Sequence, residues 1–97
     1  MVLEVAMLTV CGGQGAAFER AFVLAAPIIG ACAGYLGHEL QRCLEQPDRY
    51  ILLVRWRELE DHTIGFRTSA GYQEWRALLH HFYEPFPTVE HFVAVEH

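Results

Sequence analysis

The sequence contains no lysine, and its seven basic residues are arginines scattered among twelve acidic ones. It therefore has no basic run that could follow a phosphate backbone, and its net charge of −5 opposes binding to a polyanion. We predict that nucleic acid is not a partner of this protein.

Long apolar runs are also missing. The longest uncharged stretch, residues 21–37, contains one proline and three glycines and is shorter than the ~20 apolar residues of a membrane-spanning helix. The N-terminus has neither the basic start nor the apolar core of a signal peptide. These absences predict that the protein does not bind a membrane and is cytoplasmic.

The three cysteines are too few and too scattered to form a framework. Cys11, Cys32 and Cys43 are an odd set without a C-x-x-C pair, which indicates neither a disulfide scaffold nor a zinc site. We expect reduced thiols that serve as small apolar side chains.

Apolar residues, in contrast, are abundant, at 53% of 97 residues. The length predicts a single domain over residues 1–97, and so small a domain cannot bury all of this apolar surface by itself. The excess therefore predicts a partner surface, most simply that of a homodimer.

The order of the apolar segments predicts a β-α-β-β-α-β chain. Alternating or β-branched runs predict strands at 2–10, 35–44, 50–56 and 89–95, and apolar stripes predict helices from about Gln14 and from Ser69. We expect Pro27 to kink or end the first helix, since proline lacks the N–H that bonds the previous turn. The third strand is apolar on both faces except at Arg55, which predicts a central strand covered by helices on one side and by a second subunit on the other.

Residues 34–91 carry a further pattern: YILLVRW, His62 six residues after its Trp, Gly65-Phe66-Arg67, Tyr72, Trp75-Arg76 and PFPTVEHF. This segment resembles the antibiotic biosynthesis monooxygenase (ABM) domain family of the dimeric α+β barrel superfamily. The resemblance implies an α+β, ferredoxin-like fold, with helices on one face of a four-stranded antiparallel sheet, and a homodimer.

The resemblance also implies an activity and a site. Quinone-forming relatives line their pocket with Asn, Trp, Tyr and Arg. The Trp matches Trp56 and the Arg matches Arg76. The Tyr falls on His62 and the Asn falls on Leu52, so these two positions differ from the relatives. The implied function is cofactor-independent oxidation of a small aromatic or polyketide-like molecule by O₂. His62 would be the base, because imidazole titrates near pH ~6.5, Arg76 the anion partner and Trp56 the stacking wall. The implied substrate-binding residues are His38, Leu52, Phe66 and Tyr72.

Other functions stay open at this point. Haem-degrading relatives use an Asn on the first strand, where this chain has Ala6, Met7 and Leu8. A ligand-binding or stress-related dimer without catalysis, or a small isomerase, would fit the same pocket. His38, His62 and His91 could meet as metal ligands, but their spacing predicts no metal site.

Overall fold

The computed structural model describes all 97 residues and shows one antiparallel sheet of four strands in the order β2-β3-β1-β4. The strands are β1 (Val2–Thr9), β2 (Tyr35–Arg42), β3 (Arg49–Trp56) and β4 (Val89–Phe92). The helices are α1 (Gly15–Gly30), a π-helical segment (Asp61–Phe66), α2 (Ala70–Leu79) and a 3-10 turn (His80–Phe82). The predicted ferredoxin-like fold is therefore confirmed.

Strict alternation along β1 and β3 builds the core. Even-numbered side chains from Glu4 to Leu8 and from Tyr50 to Trp56 are buried under the helices, and odd-numbered ones face the opposite side. The stripe of α1 packs onto this face, with Phe18, Phe22, Ala25 and Ile29 all buried. From α2, Trp75 and Leu79 close the same core. Ser69 caps α2 by accepting a hydrogen bond from the Tyr72 N–H at 3.2 Å.

Several predicted boundaries are corrected by the structure. Helix α1 does not end at Pro27, because the Pro27 carbonyl still accepts a bond from the Ala31 N–H at 3.1 Å. Strand β4 ends at Phe92 rather than at residue 95, and its last pair with β1 joins Phe92 to Leu3. Strand β2 ends at Arg42 rather than at residue 44.

A second correction concerns the faces of β2. A bulge between Tyr35 and Gly37 shifts the register, so that Tyr35 pairs with Trp56 while His38 pairs with Val54. Tyr35 and His38 consequently share the face that carries the helices, although strict alternation along a strand would place residues three apart on opposite faces. The Tyr35 hydroxyl is hydrogen-bonded to Nδ1 of His38.

The other face of the sheet carries no helix of this chain. Its centre is apolar and at least partly exposed: Leu3, Val5, Met7, Ile51, Leu53 and Phe92. Charged and polar side chains flank this stripe, among them the pair Arg55 and Glu39 at 3.8 Å. None of the helices has the length and apolar character needed to cross a membrane.

Candidate active site

A cavity of about 320 Å³ lies between the sheet and the segment that runs from the π-helical turn to β4. Its floor comes from β1, β3 and β4 and is apolar except for Glu4. Aromatic and polar side chains form the rest of its lining. The lining residues are Glu4, Ala6, Leu8, Leu52, His62, Phe66, Arg67, Tyr72, Trp75, His80, Tyr83, Phe86, Pro87 and Val89.

Glu4 is the acidic residue of this lining. It stands at an even position of β1, in phase with the buried Ala6 and Leu8, and its residue is only 5% exposed. Oε1 accepts a hydrogen bond of 2.9 Å from Nε1 of Trp56. Burial raises the pKa of this carboxyl, although the Trp56 hydrogen bond and the charge of Arg67 act in the opposite direction. Burial therefore favours the protonated form of Glu4 relative to a carboxyl group in water.

His62 lies beside Glu4 and is 3% exposed. Its Nε2 is 3.4 Å from Oε1 of Glu4, and its Nδ1 is 2.8 Å from Nε2 of His91. The ring stacks on Trp56, with centroids 5.5 Å apart and planes at 22°. Burial, helped by the positive charge of Arg67 and by His91, lowers the pKa of His62 to about 3. His62 is therefore a neutral imidazole, and burial disfavours an ion pair with Glu4.

The π-helical segment that carries His62 is fixed at its N-terminal end. The side chain of Asp61 accepts a hydrogen bond of 3.0 Å from the Glu58 N–H, and the Arg57 N–H donates to the Gly34 carbonyl at 2.8 Å. Gly34 has a φ of 84°, and a Cβ at this position would overlap the Asp61 side chain. Close backbone approach at Gly34 therefore determines where the segment, and with it His62, sits over the sheet.

Arg67 follows the π-helical segment directly. It lines the cavity yet is largely exposed, which places its guanidinium at the mouth. No carboxylate lies within 4.0 Å of it, since the ion pairs of the chain involve other residues. Its charge lowers the pKa of His62 and of His91. An unpaired guanidinium at the mouth of an apolar cavity is a suitable partner for an anion.

Comparison with known proteins agrees with this architecture. The family model for antibiotic biosynthesis monooxygenase matches residues 1–78. The chain belongs to the antibiotic biosynthesis monooxygenase family. The uncharacterized protein YczJ of Bacillus subtilis (strain 168) is 59% identical over 95 residues, which cover 98% of this chain and 100% of YczJ.

Solved structures of ABM proteins superpose on nearly the whole chain. A Bordetella bronchiseptica protein, described as a candidate antibiotic biosynthesis monooxygenase, is 36% identical, with a TM-score of 0.93 over 98% of this chain and 97% of its own. SnoaB of Streptomyces nogalater, described as a cofactor-independent oxygenase, is 23% identical, with a TM-score of 0.78 over 99% and 94%. The similarity to SnoaB extends to the fold.

Four of the seven side chains predicted for the ABM site line the cavity. They are His62, Leu52, Phe66 and Tyr72. Trp56 is not among them: it is completely buried beneath His62, where it contacts the Glu4 carboxyl instead of the cavity. Its predicted place as a wall of the pocket is therefore corrected to a supporting place behind the wall.

Arg76 and His38 lie elsewhere. Arg76 follows the buried Trp75 on α2, and the ~100° turn between helical neighbours directs it to solvent. His38 belongs to β2, which is separated from β1 by β3, and it packs edge-on against Phe22 at 5.7 Å. Neither side chain lines the cavity.

Glu4, Arg67 and Trp75 line the cavity but were not among the predicted site residues. Glu4 had a readable signal, because it is the one charged residue in phase with the buried face of an otherwise apolar strand. No signal in the sequence indicated Arg67, because its position depends on the geometry of the π-helical segment before it. From the sequence, His91 was considered only as a metal ligand. The structure brings His91 to His62 but leaves His38 apart from both. No three His, Cys, Asp or Glu residues are arranged to hold a metal ion.

Proposed function

We propose that this ABM protein is a monooxygenase that oxidises a small aromatic or polyketide-like molecule with O₂ and without a cofactor. The observation that carries the proposal is a buried carboxyl group, Glu4, that opens onto an apolar cavity with the unpaired guanidinium of Arg67 at its mouth. Membership of the family and the shared fold of SnoaB, a cofactor-independent oxygenase, support the reaction type.

In the proposed reaction the substrate itself supplies the electrons. A base removes a proton from an acidic C–H, the resulting carbanion reduces O₂, and a carbon-bound peroxide forms. Loss of the second C–H proton to the base, with cleavage of the O–O bond and release of hydroxide, yields the ketone. The sum converts R₂CH₂ and O₂ into R₂C=O and H₂O, so no external reductant is required.

Glu4 is the base in this proposal, in place of His62. A general base works best when its pKa approaches the working pH, and burial moves the pKa of Glu4 in that direction. Burial moves the pKa of His62 away from it, to about 3, and both ring nitrogens of His62 already face Glu4 and His91. His62 orients the carboxyl group and shields it from water.

In this proposal Arg67 is the anion partner, a role that the family resemblance assigned to Arg76. Negative charge develops on the substrate oxygen and on the bound peroxide, and a preorganised cation at the mouth stabilises both. Phe66 and Trp75 offer flat aromatic surfaces for a ring, and Leu52 adds an apolar contact. The cavity volume of about 320 Å³ is at the lower end for ligand sites, which favours a small substrate.

A second copy of the chain completes the proposed assembly. The apolar stripe on the open sheet face, which includes Val5 and Leu53, needs a cover that this chain does not provide. A homodimer that joins these faces would give the α+β barrel implied by the family resemblance. In that arrangement the cavities lie on the helix sides, away from the contact.

A ligand-binding dimer without catalysis is the second candidate. It is favoured by Leu52, an apolar residue in the cavity lining at the position where quinone-forming relatives carry Asn. Oxygen uptake separates the two functions: the purified protein with an anthrone, or with another aromatic compound that carries an acidic CH₂ group, should consume O₂ faster than the uncatalysed reaction. Binding of these compounds without any O₂ consumption would instead establish the binding function.

A further inference from the structure

His91 connects the cavity to the edge of the sheet. It pairs in register with Glu4 across β1 and β4, so both side chains project from the same face of the sheet. His62 lies over this pair, with Nε2 3.4 Å from Glu4 and Nδ1 2.8 Å from Nε2 of His91. The three groups thus form a line in which His62 is hydrogen-bonded to His91 and lies 3.4 Å from Glu4.

This line leads from the interior to solvent. Glu4 and His62 line the cavity and are 5% and 3% exposed, whereas His91 does not line it and is only half-buried on the edge strand β4. Nδ1 of His91 makes no hydrogen bond within the chain, so it is available to water. The side chains next to His91 on β4, Glu90 and Phe92, project from the opposite face.

We propose that Glu4, His62 and His91 form a proton relay that moves the proton taken from the substrate out of the cavity while O₂ reacts, with His91 as its outer terminus. The inference rests on the proposed function. It assigns to His91 a positioning and proton-carrying part that neither the sequence pattern nor the cavity lining indicates.

Each transfer in the relay is balanced. The carboxylate of Glu4 takes the substrate proton and passes it to Nε2 of His62, while the proton on Nδ1 of His62 moves to Nε2 of His91. His91 is then an imidazolium, and His62 is neutral again as the other tautomer. The proton later returns along the same atoms to the peroxide, or exchanges with water at Nδ1 of His91.

The relay solves a problem that Glu4 alone would face. A proton that stays on Glu4 is next to the carbanion and returns to it, which reverses the first step before O₂ can react. His62 cannot keep the proton, because burial and the charge of Arg67 disfavour its imidazolium. Burial, helped by the charge of Arg67, also lowers the pKa of His91, but His91 is the more exposed of the two rings and its proton can pass to water.

Anaerobic hydrogen exchange tests the relay separately from oxidation. Without O₂, an anthrone labelled with deuterium at its acidic carbon should lose the label to water in the presence of the wild-type protein. His91→Gln keeps a hydrogen-bonding partner for His62 but cannot relay a proton, so label loss should fall by about 10²-fold, the lower end of the range for a general base. His97→Gln, which alters an exposed histidine near the same end of the chain, should have no effect.

The outcomes are distinct. Label loss that is equal in His91→Gln and wild type overturns the relay but leaves the oxygenase proposal intact, and O₂ uptake by the wild type decides the latter. A measurement without substrate covers the remaining cases. Exchange of the His62 ring proton with water, followed by NMR, should be slower in folded His91→Gln than in wild type; unchanged or faster exchange overturns the relay. Should this variant fail to fold, the wild-type exchange rate must follow the titration of His91, and independence from it would refute the proposal.

Discussion

The indole Nε1 of Trp56 donates a hydrogen bond of 2.9 Å to Oε1 of Glu4, so a fully buried tryptophan supports a carboxyl group that faces the cavity. The bond stabilises the ionised form of that carboxyl and opposes the effect of burial on its pKa. In the proposed reaction Trp56 therefore acts through Glu4 and does not contact the substrate.

Trp56→Phe should accordingly change the pH profile more than substrate binding. Phenylalanine keeps an aromatic ring under His62 but leaves a buried acceptor unpaired, which costs about 1–3 kcal/mol of folding free energy. The pKa of Glu4 should rise, and the acid limb of the oxidation rate should move to higher pH. Trp75→Phe is the matched control, because Trp75 lines the cavity without a bond to Glu4; it should change KM and leave the acid limb in place.

Gly34→Ala tests how the π-helical segment is held. An alanine at a φ of 84° is strained, and its Cβ would meet the side chain of Asp61. We expect a loss of roughly 1–3 kcal/mol in urea denaturation from overpacking and a displaced His62. Gly12→Ala adds the same methyl group where no atom lies within 4 Å, and it should be nearly neutral. Equal stabilities of the two variants would contradict this account of the segment.

Stability should fall as the pH is lowered from 7 towards 4.5. The unfolded chain protonates His62 near its ordinary value of 6.5, whereas the native protein does so only near 3, so the unfolded state binds more protons between these values. One such group gives a slope of at most about 1.4 kcal/mol per pH unit. His80 and His91, whose pKa values are also lowered, act in the same direction.

Glu4 acts against this trend. Its pKa is raised above 4.5, so the native state binds the extra proton above that pH, and acidification through its pKa stabilises the fold. Glu4→Gln removes this opposing contribution, and its free energy of unfolding should fall more steeply with acidification than that of the wild type. Parallel curves from urea titrations at several pH values would show that the two buried groups do not titrate as described.

The dimer prediction rests on the open face of the sheet. Leu53→Arg places a charge in the middle of the apolar stripe, and light scattering should then give a mass near 11.1 kDa instead of twice that value. Val23→Arg is the control, because Val23 is 71% exposed on α1 and outside the stripe. A wild-type protein that is monomeric at micromolar concentration would remove the barrel from this account.

The order of the elements and the sheet could be predicted because periodicity reports burial directly. Alternation in β1 and β3 and the stripe of α1 all correspond to faces that pack on one core. The site was harder to predict, since a cavity depends on where irregular segments cross the sheet. The π-helical turn brings His62 over Glu4 and turns Arg67 to the mouth, and no helical or strand period encodes that path.

Matching single positions to relatives was least reliable where either of two adjacent residues could line the cavity. Trp75 and Arg76 are adjacent on α2, and the buried one of the two lines the cavity. Glu4 on β1 indicated the site better than the positions matched to relatives did. Burying a carboxyl group is costly, so a buried carboxyl group marks a function or a partner.

Oxygen uptake by Glu4→Gln tests the central claim most directly. Glutamine keeps the shape and the bond from Trp56 but cannot accept a proton, so the rate with an anthrone that the wild type oxidises should fall by about 10²–10⁴-fold. Glu90→Gln, an exposed change on β4, should retain full activity, and His62→Gln should lose less than Glu4→Gln. Full activity in Glu4→Gln together with a large loss in His62→Gln would contradict the account and assign the base to His62.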